Sequence, residues 1–305
     1  MKGWFGTSKQ DRFTYFVMKL VSISVILMLI GIGLMLMYKA VPAILHFGIK
    51  FIWSTEWNPV TSQYGSLPFI IGTLVTSFLA LFIAAPFSVA VALFITEICP
   101  RYLRKILSIF VEMIASVPSI IFGLWGIFSL APWMQSSATP FLKKYLGFLP
   151  LFQGPSFGIS VLTASVILAI MITPTISSFC REVFSSVSVS TKEAALALGC
   201  TRYEMLKLAI LRPSIPGIVG GMVLGLGRAL GETMAVAMVI GNSRRLSSSL
   251  FAPGSTMASL IANEYAEATN DLHMGAILYI ALLLLLLSLI INLFARMIIW
   301  KWVRR

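Results

Sequence analysis

The sequence predicts an all-α integral membrane protein with six transmembrane helices, and three observations carry that prediction. The 305 residues are 58% hydrophobic and only 11% charged, with mean hydropathy +0.93, whereas soluble domains carry about 25% charged residues. Six apolar runs, at about 15–38, 68–95, 107–131, 157–179, 213–241 and 274–299, match the ~20 residues that a helix needs to cross the hydrocarbon core. The runs are continuous, which excludes a membrane barrel, whose strands are about ten residues of alternating polarity.

Charge distribution gives the topology. Lys2, Lys9 and Arg12 precede the first run, and Arg101, Arg104 and Lys105 follow the second. Arg181, Lys192, Arg202, Lys207 and Arg212 follow the fourth, and Lys301, Arg304 and Arg305 end the chain. These fourteen face six on the opposite side, Lys39, Lys50, Lys143, Lys144, Arg244 and Arg245. The positive-inside rule then places both termini in the cytoplasm. The formal charge of +12 is thus a topology signal and does not indicate nucleic-acid binding.

In chain order, the apolar stretch from Val21 to Met37 is longer than the core of a signal peptide and has no small-x-small cleavage site, so it predicts a retained anchor. An outer segment, 40–67, follows; its Trp53, Trp57 and Tyr64 suit an aromatic belt at headgroup level. Spans two, three and four contain Pro86, Pro118 and Pro174, each expected to kink its helix. Glu112 opens the third span and is expected to meet an arginine or lysine. The loop from Pro132 to Phe157, with four prolines, predicts a short structured outer excursion.

Ser190 to Asn242 is the informative stretch. Ser190 with Glu193, and Thr201 with Glu204, have the spacing of capping boxes that start helices. Gly199 between them is suited to a left-handed helix end, so two short helices are expected to meet at a glycine hinge. The following span carries Gly217, Gly221 and Gly225, then Gly227 and Gly231, and small residues four apart let helices approach closely. Within it, Arg228 and Glu232 are four apart and would share a helix face. Two compatible readings are open: mutual neutralisation, or a guanidinium on a substrate path that recognises an oxyanion through paired donors, with Glu232 moderating the attraction. A charge inside a span marks a partner or a pathway, because facing lipid costs about 2.5–3.5 kcal/mol.

Several chemistries are excluded. The two histidines, His46 and His273, and the three cysteines, Cys99, Cys180 and Cys200, have no metal-binding spacing. There is no phosphate-binding G-x-x-x-x-G-K-[ST] loop. Gly225-Leu-Gly-Arg-Ala-Leu-Gly231 is spaced G-x-G-x-x-x-G and follows no strand, so it is not a dinucleotide loop.

Glu193-Ala194-Ala195-x-x-x-Gly199, with a proline fourteen residues beyond the glycine, resembles the EAA signature of the permease subunits of ABC importers. The block Gly225-Leu-Gly-Arg-Ala-Leu-Gly-Glu-Thr-Met-Ala-Val236, together with Trp57-Asn-Pro59, Leu67-Pro68 and Gly72-Thr-Leu, is similar to the PstC-type permeases of bacterial phosphate transporters. The resemblance covers nearly the whole chain. One departure is Leu211-Arg212-Pro213, where the family usually has Leu-Pro, and it predicts a local change where the chain enters the membrane.

The resemblance implies a type I ABC importer permease fold with a cytoplasmic coupling helix. Residues 1–67 would form the N-terminal segment, first span and outer loop. Residues 68–300 would form the permease domain, with a coupling loop at about 180–212, and 301–305 a cytoplasmic tail. Glu193, Ala194, Ala195 and Gly199 would dock on a cytoplasmic ATPase dimer, which supplies the nucleotide site that this chain lacks. Arg228 and Glu232 would lie on the substrate pathway. A second, homologous permease would complete the pore, and an extracytoplasmic phosphate-binding protein would deliver phosphate. The implied setting is the bacterial inner membrane, with no cofactor. Permeases for sulfate or molybdate, and a secondary anion transporter, are the alternatives.

Overall fold

The computed structural model describes the backbone of residues 9–303 and the side chains of 12–297. The N-terminal segment around Lys2 and the terminal Arg304 and Arg305, assigned above to the cytoplasm, lie outside the described residues.

The first helix, α1 (Lys9–Phe47), is exposed over its apolar length and meets the bundle near its C-terminal end, where Ala40 and Ala43 are buried. A short α2 (Lys50–Trp53) leads to α3 (Leu67–Leu93), which continues through a π-helical turn at Phe94–Ile98. The third crossing is broken into α4 (Arg101–Ser116) and α5 (Ser119–Leu146), which meet at 86°. Proline chemistry explains the break. A residue before proline is pushed out of the helical region, and Val117 is extended, with φ −64° and ψ 128°.

Pro86 and Pro174 do not break their helices, α3 and α6 (Val161–Ser185). Beside Pro174, Ser88 Oγ donates to Ala84 O (2.7 Å) and to Thr173 O (3.2 Å), tying α3 to α6. The chain then forms α7 (Val189–Ala197) and α8 (Arg202–Gly231). A π-helical turn at Leu206–Leu211 precedes Pro213 in α8. The widened turn relieves the demand of a residue with no N–H to donate, so the Arg212 insertion leaves the helix unbroken. Last come α9 (Met234–Val239), α10 (Met257–Glu264) and α11 (Asp271–Val303).

Among the described residues, five unbroken helices are long and apolar enough to cross a membrane, and counting the bent α4–α5 pair as one span gives up to six. Two boundaries differ from expectation. The fifth span ends at Gly231 instead of running to 241, and the second short helix after Gly199 is the first turn of α8 itself. The proline-rich loop is largely the continuation of α5 to Leu146, with a single 3₁₀ turn at Pro150–Phe152.

α6 is the packing centre. It lies against α3, α4 and α8 and buries Ile167, Leu168, Met171, Ile172 and Ile176 in the larger of two cores. The glycines of α8 make that packing possible. A Cβ at Gly217 would sit 2.6 Å from Val183, and one at Gly225 2.6 Å from Ile176, so the helices meet where side chains are missing. The second glycine pair faces no close neighbour in this way: a Cβ at Gly231 would meet nothing within 4 Å. A smaller core joins the ends of α1 and α3 to α10 and α11 around Phe51, Trp57, Tyr64, Phe69 and Ile277.

Candidate functional site: the hinge at Gly199 and the break at Glu232

At one end of the molecule α7 projects with no buried residue. Its N-cap is Ser188, whose Oγ accepts from Thr191 N at 3.3 Å. The predicted Ser190–Glu193 box is therefore displaced by two residues. Ser188 already satisfies the first-turn amide, and Glu193 is left pointing outward, exposed. The far end of α7 closes as a Schellman motif: Cys200 N donates to Ala195 O (3.2 Å) and Gly199 N to Leu196 O (3.0 Å). Gly199 has φ +86°, and a Cβ there would meet nothing within 4 Å. Backbone conformation, not space, is what calls for glycine.

The Thr201–Glu204 box forms as predicted, with Glu204 N to Thr201 Oγ1 at 3.3 Å and Thr201 N to Glu204 Oε2 at 2.8 Å. Lys192 Nζ lies 2.6 Å from Glu97 Oε1, pinning α7 to the end of α3. Around this anchor the surface is apolar: Leu198 is 85% and Tyr203 72% exposed, and Val189 and Leu196 are also exposed. Glu193 and Ala194 are exposed and Ala195 half-buried on the same projection.

At the other end of α8 the membrane helix stops and restarts. Glu232 leaves the helical region, with φ −70° and ψ 125°, and its Oε1 accepts from Ala235 N at 3.3 Å, capping α9. This corrects the expectation that Arg228 and Glu232 share a face and neutralise each other. No Arg228–Glu232 ion pair forms among the described residues. Arg228 instead donates from NH1 to Thr175 Oγ1 of α6 at 3.0 Å. It occupies the last turn of α8, where a cation complements the negative end of the helix dipole. A half-buried guanidinium held by one neutral hydroxyl retains donors for an anion, and broken membrane helices are where such backbone and side-chain donors are exposed.

A third cluster was missed by sequence reasoning. Glu264 is 4% exposed and accepts from Trp57 Nε1 (2.8 Å), Arg244 (2.8 Å) and His273 (3.0 Å). Trp57 and Tyr64, assigned to an interfacial belt, are instead 6% and 3% exposed, packed edge to face at 4.9 Å. Only Trp53, 71% exposed, fits the belt. Burial first, and the Glu264 carboxylate second, raise the Tyr64 phenol above its ordinary pKa, opposed by Arg244. At the α7 end, Glu112 does meet its cation: Arg181 NH2 lies 3.2 Å from its Oε1. No group of three or more His, Cys, Asp or Glu is placed to hold a metal among the described residues.

Residues 88–302 match the family model of the binding-protein-dependent transport system inner membrane component. Curated relatives agree. The chain is 46% identical to the phosphate transport system permease protein PstC of Xylella fastidiosa (strain Temecula1), over 92% of this chain and 88% of that protein. It is 42% identical to the protein of the same name from Mesorhizobium japonicum, over 92% and 87%. It is 35% identical to the probable PstC of Methanocaldococcus jannaschii, over 96% and 95%. Among solved structures, a chain of a bacterial alginate ABC transporter in complex with its pentasaccharide-bound periplasmic protein shares the fold, with TM-score 0.61 and 17% identity over 94% of each chain. An inward-facing MetNI methionine ABC transporter does so with TM-score 0.55 and 18% identity, over 76% of this chain and 94% of that one. With that fold and those relatives, the chain belongs to the inner membrane component family of binding-protein-dependent transport systems, in its PstC-type branch.

Proposed function

We propose that this chain is the permease subunit of an ATP-driven phosphate importer, with Arg228 on the anion pathway and α7 docked on a cytoplasmic ATPase. The observation that carries the reading is that α8 is one unbroken helix from the Gly199 hinge to Arg228. At 1.5 Å per residue it spans about 45 Å. A displacement of α7 is therefore delivered by a stiff rod to the residue that holds the anion. The exposed apolar surface of Leu198, Tyr203 and Val189, next to Glu193, Ala194 and Ala195, supports a protein-docking role. The α7 end carries Arg101, Arg104, Lys105, Lys192, Arg202 and Lys207, and this basic excess supports a cytoplasmic position for it. A homologous second permease completes the pore, and an extracytoplasmic phosphate-binding protein docks at the opposite face, near Glu264.

The pathway has a direct test. Arg228→Gln keeps a hydrogen-bond donor for Thr175 but removes the charge, so the variant is expected to assemble with its partners and to lose phosphate uptake by at least tenfold, the scale of one charge-assisted contact. Uptake at the unsubstituted rate would remove Arg228 from the pathway.

A further inference from the structure

We propose that the groove between α3, α4 and α6 holds a phospholipid of the leaflet at the α7 end, with a zwitterionic headgroup carrying a phosphate and a primary ammonium. Two cavities share these three helices. One, of about 400 Å³, is apolar and lined by Phe87 and Val91 of α3, Val111 and Ile114 of α4, and Ile170 and Pro174 of α6. The other, of about 270 Å³, lies nearer α7 and is polar, with Arg104, Ser108, Glu112, Ser178, Arg181 and Glu182 in its lining.

Helical spacing sets the two cavities end to end along the same helix faces. Ile170, Pro174, Ser178, Arg181 and Ser185 follow at intervals of three or four, so they form one stripe along α6. Arg104, Ser108 and Val111 do the same on α4. The groove is thus greasy along its length and ionic at its end, as an acyl chain and its headgroup require.

The ionic end is incompletely satisfied from within. Arg181 NH2 donates to Glu112 (3.2 Å) and Ser178 Oγ (2.9 Å), but its buried Nε has no partner. Among the described residues Arg104 and Glu182 make no ion pair. A buried unpaired donor is unfavourable, and a phosphodiester oxygen matches the guanidinium fork. Charge selects the headgroup. Arg181 and Glu112 cancel, leaving one cation, Arg104, and one anion, Glu182, which complement one phosphate and one ammonium.

The test is native mass spectrometry of the full-length chain, purified in mild detergent, delipidated, and titrated separately with phosphatidylethanolamine, phosphatidylglycerol, phosphatidylcholine and inorganic phosphate. Phosphatidylethanolamine is expected to bind tightest. Arg104→Gln and Glu182→Gln, both at exposed positions with no intramolecular partner to lose, should each weaken it about tenfold. Val91→Trp, which fills the apolar groove, should weaken it too, and Arg245→Gln should not. Equal retention of all three lipids with no effect of these variants would overturn the proposal. So would phosphate competing fully with the lipid, which makes the ionic end a free-anion site. Cross-linking of Ile114→Cys to a partner permease in the assembled transporter would do the same, since a protein then covers the groove.

Discussion

Glu264 shows how much one buried carboxylate organises. It joins Trp57 from the segment before α3, Arg244 from the loop after α9 and His273 from α11, so three separate stretches of chain converge on two oxygen atoms. Glu264→Gln keeps an acceptor for Trp57 but loses the charge that Arg244 meets. Hydrogen bonds to a charged group contribute about 1.5–3 kcal/mol, and a loss of that size is expected in the thermal unfolding of the detergent-purified protein. Unfolding at the unsubstituted temperature would show the cluster to be incidental. None of this was legible in the sequence, because the partners lie up to 207 residues apart. Arg228 was legible, since a charge inside an apolar run has few explanations. Its supposed neutralisation by Glu232 failed for a local reason: helix spacing applies only where the helix continues, and the chain leaves the helix at Glu232.

The elements were largely readable as apolar runs, because a membrane helix needs both length and continuity. Their interruptions were less so. Pro86, Pro118 and Pro174 look alike in sequence, yet of the three only Pro118 breaks its helix; the other two lie inside continuous helices that pack closely on each other. Glycine contacts differ in the same way. A Cβ on Gly72 would overlap the Ser255 backbone carbonyl oxygen, whereas one on Gly225 would meet side-chain atoms of Ile176 and Ile172. Gly72→Ala is therefore expected to cut the yield of folded protein in size-exclusion chromatography, with Gly225→Ala much milder; the reverse order would contradict this packing. At the α7 hinge, Lys192→Glu should loosen ATPase-coupled transport by removing the 2.6 Å pair with Glu97, and adding Glu97→Lys should restore part of it. Failure of the double variant to exceed the single one would show that the pair does not anchor α7.

At the scale of the molecule, the two candidate sites lie at the two ends of α8, which packs along its glycines against α6 at the centre of the bundle. The apolar flank of α1, exposed from Phe13 to Tyr38, adds little to either core. The proposed activity is import of phosphate at the expense of ATP. It is tested most directly by labelled-phosphate uptake in bacterial cells lacking their own phosphate permeases, supplied with this chain, its partner permease and its ATPase. Sulfate and molybdate serve as competitors. Uptake is expected to require an intact ATPase active site and to resist both competitors. Uptake that survives loss of ATP hydrolysis, or that carries sulfate or molybdate and no phosphate, would contradict it.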